Sequence, residues 1–147
     1  MAGTGVEVKG LRELARELGR VSPRLRTELG REYRRIGSVL AGRAESRIAT
    51  AAKGRGGSHG GQRYKPSVAT TAAKITVGGN VRALGDEFGA KRYRQFSGFR
   101  GNQWGDWPDG GIGYGLLPVI RDAETEIKDW FYDAVENALK GAYPDRA

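Results

Sequence analysis

SPRLRTELGREYRRIGSVLAGRAESRIAT, residues 22–50, decides the fold because it predicts one long amphipathic helix. Ser22 and Pro23 favour a helix start, since serine suits the N-cap and proline the first helical position. The pattern predicts a helix to about Lys53, roughly 45 Å long at 1.5 Å per residue, as the scaffold of the fold. Apolar residues recur every three or four positions and form one stripe: Leu25, Leu29, Tyr33, Ile36, Leu40, Ala44 and Ile48.

Two short elements are predicted before this helix. Residues 6–8 alternate briefly and indicate an edge strand. A first, shorter helix follows, because its apolar residues have the spacing i, i+3, i+4, i+7 and Gly19 is a plausible stop: Leu11, Leu14, Ala15 and Leu18.

Residues 68–84 predict a small antiparallel sheet. Residues 68–71 and 73–77 read as strands, the second by its alternation. Residues 78–80, Gly-Gly-Asn, are expected to form a hairpin turn, since glycine supplies the positive φ that tight hairpins need. Residues 81–84 would then return as the paired strand.

A C-terminal helix is predicted from near Pro118 to Gly141 and Pro144. Acidic residues lie in its first turns, where the helix dipole favours them. Together the elements predict an α+β fold: two N-terminal helices with the second long, a small antiparallel sheet with a long loop, and a C-terminal helix packed on the sheet. The expected apolar face of the last helix contains Ile120, Ala123, Ile127, Trp130, Phe131, Ala134, Ala138 and Leu139.

Composition favours a single domain over residues 1–147 with flexible loops. A chain of 147 residues is the usual length of one domain, and 24 glycines exceed twice the average usage of about 7%. The glycines concentrate near 54–63 and 89–115. The absence of cysteine excludes disulfides, zinc ribbons and thiol catalysis. No apolar run approaches a membrane span and no signal peptide is readable, so synthesis in the cytosol is expected.

The formal charge of +8 is spread unevenly. Residues 1–60 carry 13 Lys and Arg against 6 Asp and Glu, whereas residues 111–147 carry 4 against 7. Solvated helix faces explain this distribution. Complementarity, with the acidic helix of one copy near the basic surface of its neighbour, explains it equally well.

No residue pattern points to catalysis, a cofactor or a metal. His59 stands alone in the Gly-rich loop, where it replaces the third glycine of a G-x-G-x-x-G pattern, and no Walker pattern is present. The pairs Asp86/Glu87 and Asp106/Asp109 read as solvated turn or strand acids. We therefore predict a protein that is not an enzyme and holds no cofactor.

Residues 91–100 interleave basic and aromatic side chains. Such a segment suits binding to single-stranded nucleic acid, where rings stack on bases and cations contact phosphates. It suits protein contacts as well, because Tyr, Trp and Arg are favoured interface anchors. Packing of the loop over the sheet is the third interpretation. The residues concerned are Arg92, Tyr93, Phe96 and Phe99, followed by Trp104 and Trp107.

Three stretches carry a resemblance to a known family. Residues 6–14 read VEVKGLREL, residues 83–89 read ALGDEFG, and residues 116–123 read LLPVIRDA. In this order of elements they resemble the small neck or tail-completion proteins of long-tailed bacteriophages, the family of the lambdoid neck protein. The match covers most of the chain.

The resemblance implies a virion structural protein without a cofactor. Its copies would form a ring of six or twelve in the neck, beside head-completion and tail-tube proteins, with genomic DNA passing through unread. A tail terminator and a basic, non-specific nucleic-acid-binding protein are the alternatives. In this interpretation Glu87 ends a strand and reaches a basic residue, Phe88 anchors that strand end and Gly89 permits the turn. The expected subunit contacts are Glu87, Phe88, Gly89, the basic–aromatic loop residues above, and Arg31, Arg34 and Arg35 docked against acidic neighbours.

Overall fold

The computed structural model describes residues 13, 16–17, 20, 22–52, 64–69, 72–77, 81–93, 96–100 and 113–144. Its helices and strands confirm the predicted α+β class, including the long helix, the two-stranded antiparallel sheet and the C-terminal helix packed on that sheet. In chain order the elements are α1 (Pro23–Ala52), β1 (Tyr64–Ala69), β2 (Ala72–Val77), α2 (Val81–Phe88), α3 (Leu116–Asp122) and α4 (Glu124–Ala142).

Helix α1 confirms the prediction at its start, its end and its buried face. The Leu25 N–H donates to the Ser22 hydroxyl at 3.3 Å, which is the N-cap bond expected of serine. All seven residues of the predicted apolar stripe are buried. Before α1, residues 13, 16, 17 and 20 are helical and exposed. The apolar residues predicted for that first helix, and residues 6–8, lie outside the described residues.

The predicted return strand at residues 81–84 is wrong, because Val81–Phe88 is a helix. The two strands instead pair residues 64–69 with 72–77, so the connection falls at residues 70–71. Ala83 and Glu87, four positions apart, are both buried and lie on one face of this helix. Pro66 is tolerated within β1 because both strands of a two-stranded sheet are edges. The predicted turn at 78–80 lies outside the described residues.

The C-terminal region forms two helices where one was predicted. Ala123, with φ −101° and ψ 14°, separates α3 from α4, and its carbonyl accepts from the Ile127 N–H at 2.8 Å. Pro118 is the third residue of α3, where an N–H has no partner within the helix in any case. Leu139, assigned to the apolar face, is 41% exposed.

The chain divides into two compact units. The first contains residues up to 37, 66–74 and 123 onward; within it, the rings of Tyr33 and Phe131 meet edge to face at 5.3 Å. The second contains residues 38–65 and 75–122. Its buried apolar residues include Leu40, Ala44, Ile48, Tyr64, Ala83, Phe96, Leu116 and Val119.

Candidate functional site

Glu87 is a buried carboxylate in the last turn of α2. Its side chain belongs to the second unit and the residue is only 1% exposed. One carboxylate oxygen accepts from the Tyr64 hydroxyl and from the Leu116 N–H at 2.9 Å. The other accepts from the Leu117 N–H at 3.3 Å. A buried charge of this kind persists only with several hydrogen bonds, and Glu87 has three.

These bonds place Glu87 at the start of α3. The first N–H groups of a helix have no partner inside it, and the helix dipole favours a negative charge there. Glu87 satisfies two of these N–H groups from a residue nearly thirty positions earlier. Its own main-chain carbonyl also accepts from the Tyr114 N–H at 2.7 Å. Side chain and main chain of Glu87 thus both hold residues 114–117.

Tyr64 completes this cluster as the hydroxyl donor. Its side chain is fully buried, and its N–H donates to a carboxylate oxygen of Glu45 at 3.1 Å. Burial raises the pKa of the Tyr64 hydroxyl far above its usual value. The negative charge of Glu87, the hydrogen bond to Glu87 and the charge of Glu45 raise it further. The Tyr64 hydroxyl donates to Glu87 and, with the N–H groups of Leu116 and Leu117, forms a structural clamp around this carboxylate.

Two glycines give the clamp its room. A Cβ at Gly115 would overlap the Tyr64 hydroxyl and lie 2.6 Å from the Glu87 carboxylate. A Cβ at Gly113, whose φ is +73°, would lie 2.5 Å from the other carboxylate oxygen. Glycine is therefore required at both positions on steric grounds, and at Gly113 on conformational grounds as well.

Arg47 supports the same region from α1. Its Nε donates to the Tyr114 carbonyl at 3.1 Å, and its Nη1 lies 3.3 Å from Asp122 at the end of α3. The guanidinium therefore bridges Tyr114, two residues before α3, and the last residue of that helix.

The clamp stands next to a surface loop, residues 89–100. Gly89 has φ +74° and turns the chain out of α2, at a helix end where a strand end was expected. The loop then folds back, because the Ala90 N–H donates to the Ser97 carbonyl at 2.9 Å and the Arg100 N–H to the Phe88 carbonyl at 2.7 Å. Main-chain bonds to the end of α2 thus anchor both ends of the loop.

The aromatic residues of this loop differ in exposure. Phe96 is buried against Gly85 of α2, whereas Tyr93 is 62% exposed beside exposed Lys91 and Arg92. The Lys91 ammonium lies 5.4 Å from the ring centre of Phe99. Residues 91–93 form the basic–aromatic tip of this loop.

Tyr114 contacts the loop through its ring and through its hydroxyl. The Arg100 guanidinium lies 4.5 Å from the ring centre of Tyr114, whose hydroxyl donates to the Gly98 carbonyl at 2.7 Å. The C-terminal part of the loop, at Gly98 and Arg100, is thereby tied to Tyr114 ahead of α3.

The structure places the predicted contact residues as follows. Glu87 ends a helix and not a strand, and its carboxylate binds Tyr64 and main-chain N–H groups. Its expected contact with a basic residue stays a prediction. Phe88 is half-buried. Arg31, Arg34 and Arg35 are exposed on α1, with Arg31 paired to Glu28 and Arg35 to Glu32. Trp104, Trp107, His59, Asp106 and Asp109 lie outside the described residues. Asp86 is half-buried on α2 and is not a strand acid.

Sequence reasoning missed Tyr64 and Gly115. Tyr64 stands 23 positions before Glu87 and shares no periodic pattern with it. The motif Gly-Tyr-Gly at 113–115 was a signal in the sequence, since glycines often stand where the main chain comes close to another group.

Within the described residues no three His, Asp or Glu side chains are grouped to hold a metal ion. In the same part of the chain no helix has the length and apolarity to cross a bilayer. No family model, curated protein or solved structure matches the chain.

Proposed function

We propose that this chain is a virion structural protein of a tailed bacteriophage that forms a ring in the neck, joins the DNA-filled head to the tail and lets DNA pass. The proposal combines the family resemblance with one structural observation. The buried carboxylate Glu87 clamps main chain on one side of the loop it precedes, while that loop presents Lys91, Arg92 and Tyr93 to solvent. This arrangement favours the interpretation of the loop as a surface that contacts another protein.

The basic–aromatic tip has the properties of an interface anchor. Tyrosine and arginine dominate binding energy at protein interfaces because each buries a large area at low entropic cost. The tip projects from a loop whose ends are hydrogen-bonded to α2, so less conformational entropy is lost when a partner covers it. These features favour assembly with other protein subunits.

Non-specific binding of nucleic acid is the second candidate, and the net charge of +8 favours it. The surroundings of the aromatic side chains weigh against nucleic-acid binding. Single-strand binders stack bases on free ring faces, whereas Phe96 is buried and cations lie against the rings of Phe99 and Tyr114. Of the loop aromatics that the structure describes, Tyr93 alone is more than half exposed.

The test uses the purified full-length chain in two measurements. Sedimentation and negative-stain microscopy should show closed rings with a channel wide enough for duplex DNA. Titration of a labelled oligonucleotide at increasing salt should show weak binding. A monomer that binds the oligonucleotide with a steep salt dependence, lost in a K91E/R92E variant, would establish the second candidate instead.

A further inference from the structure

One exposed face of α1 carries a regular row of arginines, which we name the arginine face: Arg24, Arg31 and Arg35. Their spacing i, i+7, i+11 repeats one side of a helix, away from the buried apolar stripe. Arg31 bonds Glu28 and Arg35 bonds Glu32, but their side chains remain 68% and 59% exposed. Exposed pairs within one helix contribute little, so these guanidiniums can still bind a partner.

A face of α4 has the same spacing in tyrosine and leucine, and we name it the tyrosine face: Tyr132, Leu139 and Tyr143. Tyr132 is 67% exposed, Leu139 is an exposed aliphatic residue, and Tyr143 is the exposed C-cap residue of the helix. Asp129 and Glu136, also one heptad apart, flank this face and are exposed. Aromatic and aliphatic side chains in solvent between acids are typical of a contact surface.

The two faces match in charge and in spacing. Helix α1 carries seven arginines against three glutamates, while α4 carries five acids against two lysines. Arg24 and Arg31 are separated by seven positions, as are Asp129 and Glu136, so both pairs span about 10 Å along their helices. Tyr132 stands between the two acids in sequence and is exposed, so its ring offers an incoming arginine a cation–π contact.

We propose that the arginine face of one copy docks on the tyrosine face of a second copy of this chain. Because two different surfaces meet, each copy offers one to each neighbour, and the contact is heterologous and able to close a ring. The inference rests on the proposed function, for which it names the subunit contact. It also identifies the acidic neighbour of the arginines as another copy.

Two charge-reversed variants test the contact. R24E/R31E makes both faces acidic, and D129K/E136K makes both basic, so each variant alone should self-associate about 100-fold more weakly, as expected when like charges meet. Mixed in equal amounts, the two variants regain opposite charges at every contact and should recover the wild-type mass in sedimentation. K65E/K74E carries the same charge change on exposed positions of the sheet and should assemble like the wild type.

Y132A is the second probe, because Tyr132 is largely exposed and the substitution leaves every charge in place. It should weaken self-association about tenfold, as loss of an exposed aromatic anchor does, with an unchanged circular dichroism spectrum.

The outcomes separate this contact from the proposed function. The contact would be overturned if each charge variant alone formed rings of the wild-type mass, or if their mixture did not recover that mass. Either result would leave the proposed ring itself in place. A wild-type chain that stays monomeric at every concentration would overturn the ring itself. Loss of oligonucleotide binding in R24E/R31E, with no change in mass, would assign the arginine face to nucleic acid and overturn the contact.

Discussion

The side chain of Glu87 joins the end of α2 to Tyr64 and to the first residues of α3, a role that the residues next to it in sequence do not indicate. Among the described residues, three donors contact its carboxylate: one hydroxyl and two main-chain N–H groups. A carboxylate accepts at both oxygens, whereas an amide accepts at one and donates at the other. The donors in this cluster therefore favour a carboxylate over an amide at this position.

Glu87→Gln should lower the free energy of unfolding by about 1 to 3 kcal/mol, because its NH₂ group faces a donor and leaves a buried polar group unsatisfied. Chemical denaturation measured by circular dichroism gives this difference. Glu124→Gln is the matched control, since Glu124 is exposed on α4 and pairs with exposed Lys128. An equal loss of stability in the two variants would show that the clamp adds nothing beyond ordinary surface charge.

At the scale of elements, helix α2 is adapted to the loop that follows it. Gly85 lies in the middle of α2, where alanine would favour the helix by up to about 1 kcal/mol. A Cβ there would approach the Phe96 ring to 2.7–2.9 Å. The ring is nearly buried, so it has little freedom to move away. The glycine weakens the helix and in return lets the loop pack on it.

Gly85→Ala should therefore destabilise the protein by about 1 to 3 kcal/mol, the usual range for overpacking. Gly42→Ala is the matched control within α1. A Cβ at Gly42 meets nothing within 4 Å, so the variant should be more stable by about 0.5 to 1 kcal/mol. Thermal denaturation of both variants checks the opposite signs. Stabilisation by Gly85→Ala would mean that Phe96 repacks freely and that the loop is not held by this contact.

At the scale of the whole molecule, the proposed assembly links stability to concentration. Subunits that associate only when folded stabilise the folded state by mass action. Over a roughly hundredfold range of protein concentration, the wild-type melting temperature should rise steadily, because each tenfold step adds up to about 1.4 kcal/mol above the dissociation constant. Scanning calorimetry measures the shift.

The D129K/E136K variant provides the comparison for this effect. Its melting temperature should stay constant over the same range, since the variant remains monomeric. A wild-type melting temperature that is independent of concentration would contradict assembly of the folded chain.

The sequence by itself determined helix α1, because seven apolar residues at helical spacing and a Ser-Pro start are local properties that need no partner. The α+β class followed from the same kind of periodicity. The exposure of Lys91, Arg92 and Tyr93 was left open, since packing of their loop over the sheet suited the sequence as well.

Only the tertiary structure decided that residues 81–88 are a helix, since the short run 81–84 fits a strand as well as a helix and the partners of Glu87 lie far away in sequence. It also decided the break at Ala123 and the clamp between Glu87 and Tyr64. The physical reason is the same in each case. A buried charge or an interrupted helix is stable only through partners distant in sequence, and those partners leave no local periodic signal.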